Sequence, residues 1–472
     1  MLWVIVSEMV LTLISYECDK LILTFRDTKR DNMQVQRLLD NLHAKYGKDT
    51  DEFFGNPDLF DNIHTVTPFN KVKKVAVLTE SFLPKVDGVV KTTYLTIRYL
   101  QQTGREVLVF APDIAVDHVG DSRVIPLPSI GVPKAPETRM ALPNPVVARR
   151  IEEFKPDLIH LFSPAAMAVN GMAIGRHLNV PVIANYQTDL PGYAGQYGYP
   201  MLSGPVHRWL RYIHNGCHLT LAPSRTTIEE LQSIGYHRVR HWGRGVNTSR
   251  FHPHHVTTEM RDRLLNGRDP DSLLCVFVGR LAPEKRVDLL LEAAKLDGVA
   301  VTVIGDGALR EELEEQFAGT DTHFTGYLIG DELAQAFASA DVFTFTGENE
   351  TFGQVIQEAM ASGLPQVVVN SGGAPDVPVR GVTGLIAEPT TESFSSMIQY
   401  LRDNPDIRKE MSYQSRLEAE RRPWSALMAQ VEGYYEEAYN MNARFKRLFG
   451  STRYHLPMSI PGQLARPRHD LS

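Results

Sequence analysis

The sequence predicts an α/β protein with two doubly wound, Rossmann-like halves facing each other across a cleft. Three observations predict it. From residue 74 onward, short apolar runs alternate with amphipathic stretches of helical length. The runs are continuously apolar rather than alternating, which suits strands buried on both faces of a parallel sheet. The alternation occurs as two successive series, each long enough for a sheet of its own.

The first series has apolar runs at 75–79, 107–111, 158–161, 182–186 and 219–222, with helical stretches at 89–102 and 165–177. The second has runs at 273–278, 299–304, 341–346 and 366–369, with helices at 287–294 and 309–317. A linker falls at 245–251, so the halves span 71–245 and 246–423. Ligands of such sheets bind beyond the carboxyl ends of the strands, which places a binding cleft between the halves. Residues 424–449 read as one long C-terminal helix, with Leu427, Val431 and Tyr434 or Tyr435 along one stripe. Residues 450–472, with several Pro and Arg, form a flexible tail. Residues 1–70 are an N-terminal extension outside the pattern. Within it Val35, Leu38, Leu39 and Leu42 predict a helix over 33–46.

At 472 residues, 43% hydrophobic and 22% charged, the chain has the composition of a soluble globular protein with room for two domains. Its net charge of −7 argues against a nucleic-acid binder. Cys18, Cys217 and Cys275 are too few and too scattered for a disulfide framework or a zinc site, so a cytoplasmic location is expected. No segment reaches the ~20 apolar residues of a membrane span. The start, 1–16, holds Glu8 and lacks the basic region of a secretory signal.

The strongest motif is Gly347-Glu348-Asn349-Glu350-Thr351-Phe352-Gly353-Gln354, followed by Glu358 and a stop at Gly363. It reads as strand, turn and helix. Backbone N–H groups at that helix start can meet a pyrophosphate or sugar hydroxyls. Glu350 lies in the turn and Glu358 two turns further in. Carboxylates accept hydrogen bonds from hydroxyls, so this pair can grip both ends of a nucleotide sugar. Turn acids that merely favour a helix N-terminus would explain Glu350 alone. They do not explain Phe352, Gly353 and Glu358 together.

A second motif, Val278-Gly279-Arg280-Leu281-Ala282-Pro283-Glu284-Lys285, directly follows an apolar strand. Gly279 frees the backbone, and Arg280 and Lys285 are placed to meet an anion at the strand's end. A departing diphosphate needs that charge. At ~4 Å and an effective dielectric of ~20, one such pair is worth on the order of 4 kcal/mol before desolvation. Two glycine turns complete the set. Gly88, between the first strand and first helix of the first half, admits close approach of a phosphate, although a glycine there is usually structural. Gly305-Asp306-Gly307 ends another strand and either lines the donor pocket or makes a plain turn.

These motifs resemble the retaining glycosyltransferases of family 4, which have the two-domain GT-B fold. Glu350 and Glu358 match that family's E-x7-E motif. The resemblance implies that Glu350 lies by the donor sugar and Glu358 binds the ribose. It also implies that Arg280 and Lys285 hold the donor phosphates, with Gly88, Gly279, Gly305, Phe352 and Gly353 lining the donor site. Many members carry a histidine where this chain has Gln187, so no histidine-dependent role is carried over. Instead Tyr186-Gln187-Thr188-Asp189 with Gly192, Tyr197 and Gly198 is similar to a narrower branch, the actinobacterial mannosyltransferases that use GDP-mannose on glycolipids. His241-Trp242-Gly243-Arg244-Gly245-Val246, then Phe251 and Pro253, is similar to it as well. This implies acceptor contacts at Gln187, Asp189 and Arg244. The similarity covers roughly 72–440.

The family retains the sugar's anomeric configuration by attack on the face of the leaving phosphate, which serves as base. Glu350 is then expected to position the sugar. Other donors fit the same fold, such as a UDP-sugar or UDP-sulfoquinovose transferred to diacylglycerol. A nucleotide-sugar epimerase or a non-catalytic sugar-binding protein is a reading from another class. Asp49-Thr50-Asp51 and Asp269-Pro270-Asp271 do not follow buried strands, so no metal and no cofactor is expected. Residues 205–250 hold seven Arg and only Glu229 and Glu230 as acids. With Trp209, Leu210 and Ile213 they make either a surface for anionic lipid, giving a peripheral membrane protein, or an ordinary packed helix.

Overall fold

The computed structural model describes residues 63–83, 88–112, 117–132, 135–192 and 200–449. The helix expected over 33–46, the segment 1–16, the tail 450–472 and the pair Tyr197 and Gly198 lie outside the described residues.

The first half contains β1 (Lys74–Thr79), α1 (Gly88–Gln102), β2 (Glu106–Pro112), β3 (His118–Val119), β4 (Ser122–Leu127), β5 (Ser129–Val132), β6 (Ala135–Ala141) and α2 (Pro145–Phe154). It continues through β7 (Leu158–Phe162), α3 (Ala168–Leu178), β8 (Val182–Asn185), α4 (Pro200–Gly216), β9 (Leu219–Ala222), α5 (Arg225–Ser233) and β10 (Val239–His241). Its sheet has the order β10-β9-β8-β7-β1-β2-β4-β3. All neighbours are parallel except β3, which runs antiparallel to β4, and β5 and β6 form a separate antiparallel hairpin.

Strand β1 shows why the apolar runs are continuous. Val75 and Val77 point into one core with α1 residues Tyr94 and Leu95, while Ala76 and Leu78 point into another with Ile151 of α2 and Met172 of α3. Successive side chains face opposite sides of the sheet, and helices cover both sides, so no position is left for water.

The second half contains α6 (Thr258–Leu265), β11 (Leu273–Val278), β12 (Val299–Ile304), α7 (Arg310–Gln316), β13 (Thr322–Gly326), α8 (Asp331–Ala338) and β14 (Val342–Phe345). Then come α9 (Gln354–Ala361), β15 (Gln366–Val369), β16 (Gly384–Ala387), α10 (Thr391–Asp403) and α11 (Pro405–Glu420). The six strands are all parallel, in the order β13-β12-β11-β14-β15-β16. The strand order reverses between β11 and β14, the point at which such sheets bind ligands.

One helix differs from expectation. Residues 287–294 form short 3-10 turns, Val287–Leu290 and Ala293–Lys295, instead of an α-helix. Val287, Leu290, Ala293 and Ala294 are buried as the pattern requires. Over two turns an α-helix and a 3-10 helix bury nearly the same face, so periodicity does not separate them.

The last helix, α12 (Trp424–Phe449), returns to the first half. Trp424, Leu427, Met428, Val431 and Tyr435 join the core of β1 and α1. Trp242 donates its indole N–H to the Leu427 carbonyl at 3.1 Å. Glu432 lies inside that contact. Its carboxylate accepts from Arg105 at 2.7 and 2.8 Å, from the Tyr99 hydroxyl at 2.5 Å and from the Phe69 N–H at 2.8 Å. An apolar stripe makes the helix, and a buried charge pair fixes where it docks.

Candidate functional site

The two motifs of the second half meet because β11 and β14 are neighbours. The loop after β11 carries Arg280 and Lys285, and the loop after β14 carries Glu350. The backbone joins them: Thr346 donates its hydroxyl to the Lys285 carbonyl at 2.6 Å, and the Glu348 N–H donates to the Glu284 carbonyl at 3.0 Å. Arg286 pairs with Glu348 at 2.6 Å. Between these ties Lys285 Nζ forms an ion pair with Glu350 Oε1. Arg280 pairs with Glu284 at 2.6 Å, and Glu284 is buried. The site therefore pairs Lys285 with Glu350 and carries Arg280 on the same loop as Lys285, within one pair of loops tied together by their backbone. In such a place the two cations can balance charge developing on a leaving diphosphate.

Glycines make the approach possible. Gly305 has φ +148, and a Cβ there would sit 1.8 Å from the Gly279 carbonyl oxygen. The loops after β11 and β12 are pressed backbone to backbone, which only glycine permits. Asp306 is held in its turn, accepting from the Gly307 N–H at 2.8 Å and lying 3.6 Å from Arg310. Beyond Glu350, Phe352 is buried and Gly353 begins α9 at φ +88 with no side-chain cap. The helix start is thus left without a side-chain partner where an anion is favoured.

The first half meets this surface at several points. The Thr351 hydroxyl donates to the Gln187 carbonyl at 2.7 Å, and the Thr226 N–H donates to Asp376 at 2.8 Å. Gln354 donates to the Gly245 carbonyl at 2.9 Å. A Cβ on Gly88 would lie 3.5 Å from Gln354 Cβ, so the start of α1 abuts the start of α9. The Gln187 side chain is buried; its Oε1 accepts from Ser163 at 3.4 Å, and its amide nitrogen has no partner among the described residues. Asp189 accepts from the Tyr186 hydroxyl at 3.1 Å. Burial pushes that hydroxyl's pKa well above the ordinary 10, and the neighbouring Asp189 charge adds to the rise. Arg244 is buried, with its guanidinium 5.9 Å from the Trp242 ring. Gly88, Gln187 and Thr351 thus line the seam, while Arg244 sits one residue from it.

Several participants carry no sequence signal of their own. Lys91, from the first turns of α1, is paired at 2.8 Å with Glu358, the residue expected at the ribose. Glu80, just after β1, is buried and accepts from the Met167, Ala165 and Ala141 N–H groups at 2.6, 3.3 and 3.2 Å. Burial raises its pKa to about 7 against the lowering effect of those bonds. A position three residues after Gly88, and an acid ending a buried strand, are the hints the sequence offers for these two. The stretch 205–250 resolves toward the packed helix: Leu210 and Ile213 of α4 are buried, and Trp209 donates to the Ala165 carbonyl at 3.0 Å. None of the described helices is long and apolar enough to cross a membrane.

Comparisons with known proteins identify the family and the fold. The chain belongs to the glycosyltransferases of family 4, in the two-domain GT-B arrangement. The family described as Glycosyltransferase Family 4 matches residues 86–250, and Glycosyl transferases group 1 matches 261–418. A GDP-mannose-dependent alpha-mannosyltransferase of Mycobacterium tuberculosis is 39% identical over 77% of this chain and 96% of its own length. The sulfoquinovosyl transferase of Arabidopsis thaliana is 35% identical over 77% of this chain and 73% of its own. Among solved structures, HepE of Anabaena, in complex with UDP, superposes with a TM-score of 0.61 at 18% identity, covering 77% of this chain and 99% of that one. Sucrose-phosphate synthase of Thermosynechococcus elongatus gives 0.62 at 17%, covering 78% and 100%.

Proposed function

We propose that this glycosyltransferase transfers mannose from GDP-mannose to a glycolipid acceptor with retention of configuration. The observation that carries the reading is the joining of the β11 and β14 loops at the switch point of the second sheet, which pairs Lys285 with Glu350 and carries Arg280 on the same loop as Lys285. Relatives named as GDP-mannose-dependent mannosyltransferases, at 33–40% identity, support the donor. A more distant relative named for phosphatidylinositol monomannoside supports a lipid acceptor.

In this reading the donor diphosphate lies against Arg280, Lys285 and the start of α9, and its ribose meets Glu358. Glu350 holds the mannose near the reacting carbon. Gly88, at the start of α1, faces the donor phosphates, and Gln187, Asp189 and Arg244 face the acceptor side. The seam between the halves excludes water and so protects the donor from hydrolysis. The glycosidic bond breaks with its electron pair leaving on the phosphate. The acceptor hydroxyl attacks the same face and gives its proton to that phosphate. Glu350 positions the sugar and forms no covalent bond.

A thermal-shift panel of GDP-mannose, UDP-glucose and UDP-sulfoquinovose tests the donor. Stabilisation by GDP-mannose is expected. Stabilisation by a UDP-sugar alone would replace the reading with the second one, transfer to diacylglycerol, which the plant relative favours. Glu350→Gln and Arg280→Ala should each reduce transfer by about 100-fold or more, the scale of removing a preorganised electrostatic contact, with the melting midpoint nearly unchanged. Full activity in either variant would refute the site. A glycolipid acceptor brings the enzyme to an anionic membrane surface, and cosedimentation with anionic but not neutral vesicles is the expected result.

A further inference from the structure

Lys91 lies on α1 of the first half, 267 positions from its partner Glu358 on α9 of the second. Its Nζ is 2.8 Å from Glu358 Oε1 and 5.7 Å from the centre of the Phe251 ring. Both side chains are largely buried, at 18% and 9% exposure. Among the described residues it is an ion pair that joins the helix layer of the first sheet directly to that of the second. The second carboxylate oxygen, Oε2, takes no hydrogen-bond partner among the described residues. A carboxylate has about four acceptor sites on its two oxygens, so Oε2 remains open to hydroxyl donors while Oε1 is engaged.

We infer that Lys91 is a positioning residue for donor recognition: by fixing Glu358 from across the cleft, it aims Oε2 at the two ribose hydroxyls of a nucleoside diphosphate. The inference rests on the proposed ribose role of Glu358 and extends it to a residue of the opposite half. The physical basis is orientation. A glutamate has three side-chain torsions, and an unpartnered one samples several rotamers. A charge-assisted bond to one oxygen, backed by the Phe251 ring, restricts them and leaves one direction for the other oxygen. Because the restraint comes from the other half, ribose recognition is complete only when the halves meet. Nucleotide binding and closure then favour each other by reciprocal linkage.

The test compares nucleotides that differ only at the ribose. Dissociation constants for GDP and UDP and for their 2′,3′-dideoxy forms are measured by calorimetry with the full-length enzyme, wild type, Lys91→Met and Lys91→Arg. Methionine keeps the aliphatic stem and its packing while removing the charge. Wild type should prefer the ribonucleotide of its base by about tenfold or more, the scale of hydrogen bonds to a charged group. In Lys91→Met that preference should fall to about threefold or less, with little change for the dideoxy form, and Lys91→Arg should restore most of it. Lys91→Met should also add nothing to the loss of preference in Glu358→Gln, since both act on one contact. A purely structural role would weaken both forms equally, and that result, or an undiminished preference, would overturn the inference. The base that wild type selects decides the donor reading separately: preference for UDP over GDP would defeat GDP-mannose and leave the Lys91 comparison to be read on UDP.

Discussion

Replacing Glu432 with leucine is expected to undock α12 from the first half. The Arg105 side chain is 2% exposed and Glu432 6% exposed, so neither charge has water to fall back on. The leucine variant leaves the guanidinium buried without a counter-charge, a change that costs about 3–5 kcal/mol. It also strips the Tyr99 hydroxyl of its 2.5 Å partner, which adds about 1–3 kcal/mol if the group stays buried. Urea denaturation followed by tryptophan fluorescence reads this directly, because Trp242 is buried against the helix and Trp424 is its buried first residue. The midpoint should drop while the slope stays constant for the first half. Arg105→Met combined with Glu432→Leu should recover much of the loss, since an apolar pair needs no desolvation of charge. A single-variant loss below about 1 kcal/mol, the range of an exposed pair, would refute the reasoning. So would a double variant as unstable as the single. Transfer should weaken as well, because a Cβ on Gly245 in the linker would lie only 2.7 Å from the Trp424 ring at the start of the same helix.

Acid should destabilise the first half. Burial lowers His160 to about 4, His214 to about 3 and His218 to about 4, from the ordinary 6.5. The unfolded chain therefore binds protons that the folded one refuses, and stability fully present above about pH 6.5 is lost as pH falls toward 4, on the order of 3 kcal/mol for His160 alone. Glu80, raised to about 7, acts in the opposite sense, losing stability as pH rises from 4.5 to 7, but the three histidines outweigh it. Denaturation between pH 4.5 and 7 should show a rising midpoint, and a flat or falling one would contradict the assignment. Gly305→Ala must displace the Gly279 carbonyl and with it Arg280, and a displacement near 1 Å can cost about 100-fold in transfer; wild-type kcat/KM in that variant would show the close approach to be dispensable. Since Arg280 and Lys285 are proposed to supply the positive charge at the diphosphate, transfer is expected to continue in EDTA, and loss on chelation with recovery in manganese would show that an ion carries that charge instead.

The legible parts of the fold were those buried on both faces. β1, β7, β8, β9, β11, β12, β14 and β15 read as continuous apolar runs because helices cover the sheets on both sides. Strands at or next to a sheet edge were not legible. β13, at an edge, is half-buried along its whole length, and β4, next to the edge strand β3, places Arg123 outward between buried Ser122 and Val124, so neither forms an apolar run. The hairpin of β5 and β6 and strand β3 are held by local antiparallel pairing, and β10 and β16 are short parallel strands, so none leaves a long periodic signal. In the site, Arg280, Lys285, Glu350 and Glu358 stood out because each sits in a dense string of turn, aromatic and charged residues. Lys91 and Glu80 did not, because a single charge in a helix or at a strand end is common and means nothing without its partner.

The sequence by itself determined the two α/β halves, the positions of their buried strands along the chain and the residue types offered at each strand end, because burial pattern and turn chemistry are local properties. It also settled the family, through motifs whose spacing within one loop is independent of the rest of the chain. Which loops share a cleft was decided only in three dimensions. β11 and β14 become neighbours by the crossover of the second sheet, α12 closes on the first half through Arg105, and Lys91 meets Glu358 across 267 positions. Such contacts form between surfaces whose partners lie far apart in the chain. A sequence records the charge at each end of such a contact and leaves the pairing to the packing of the whole molecule.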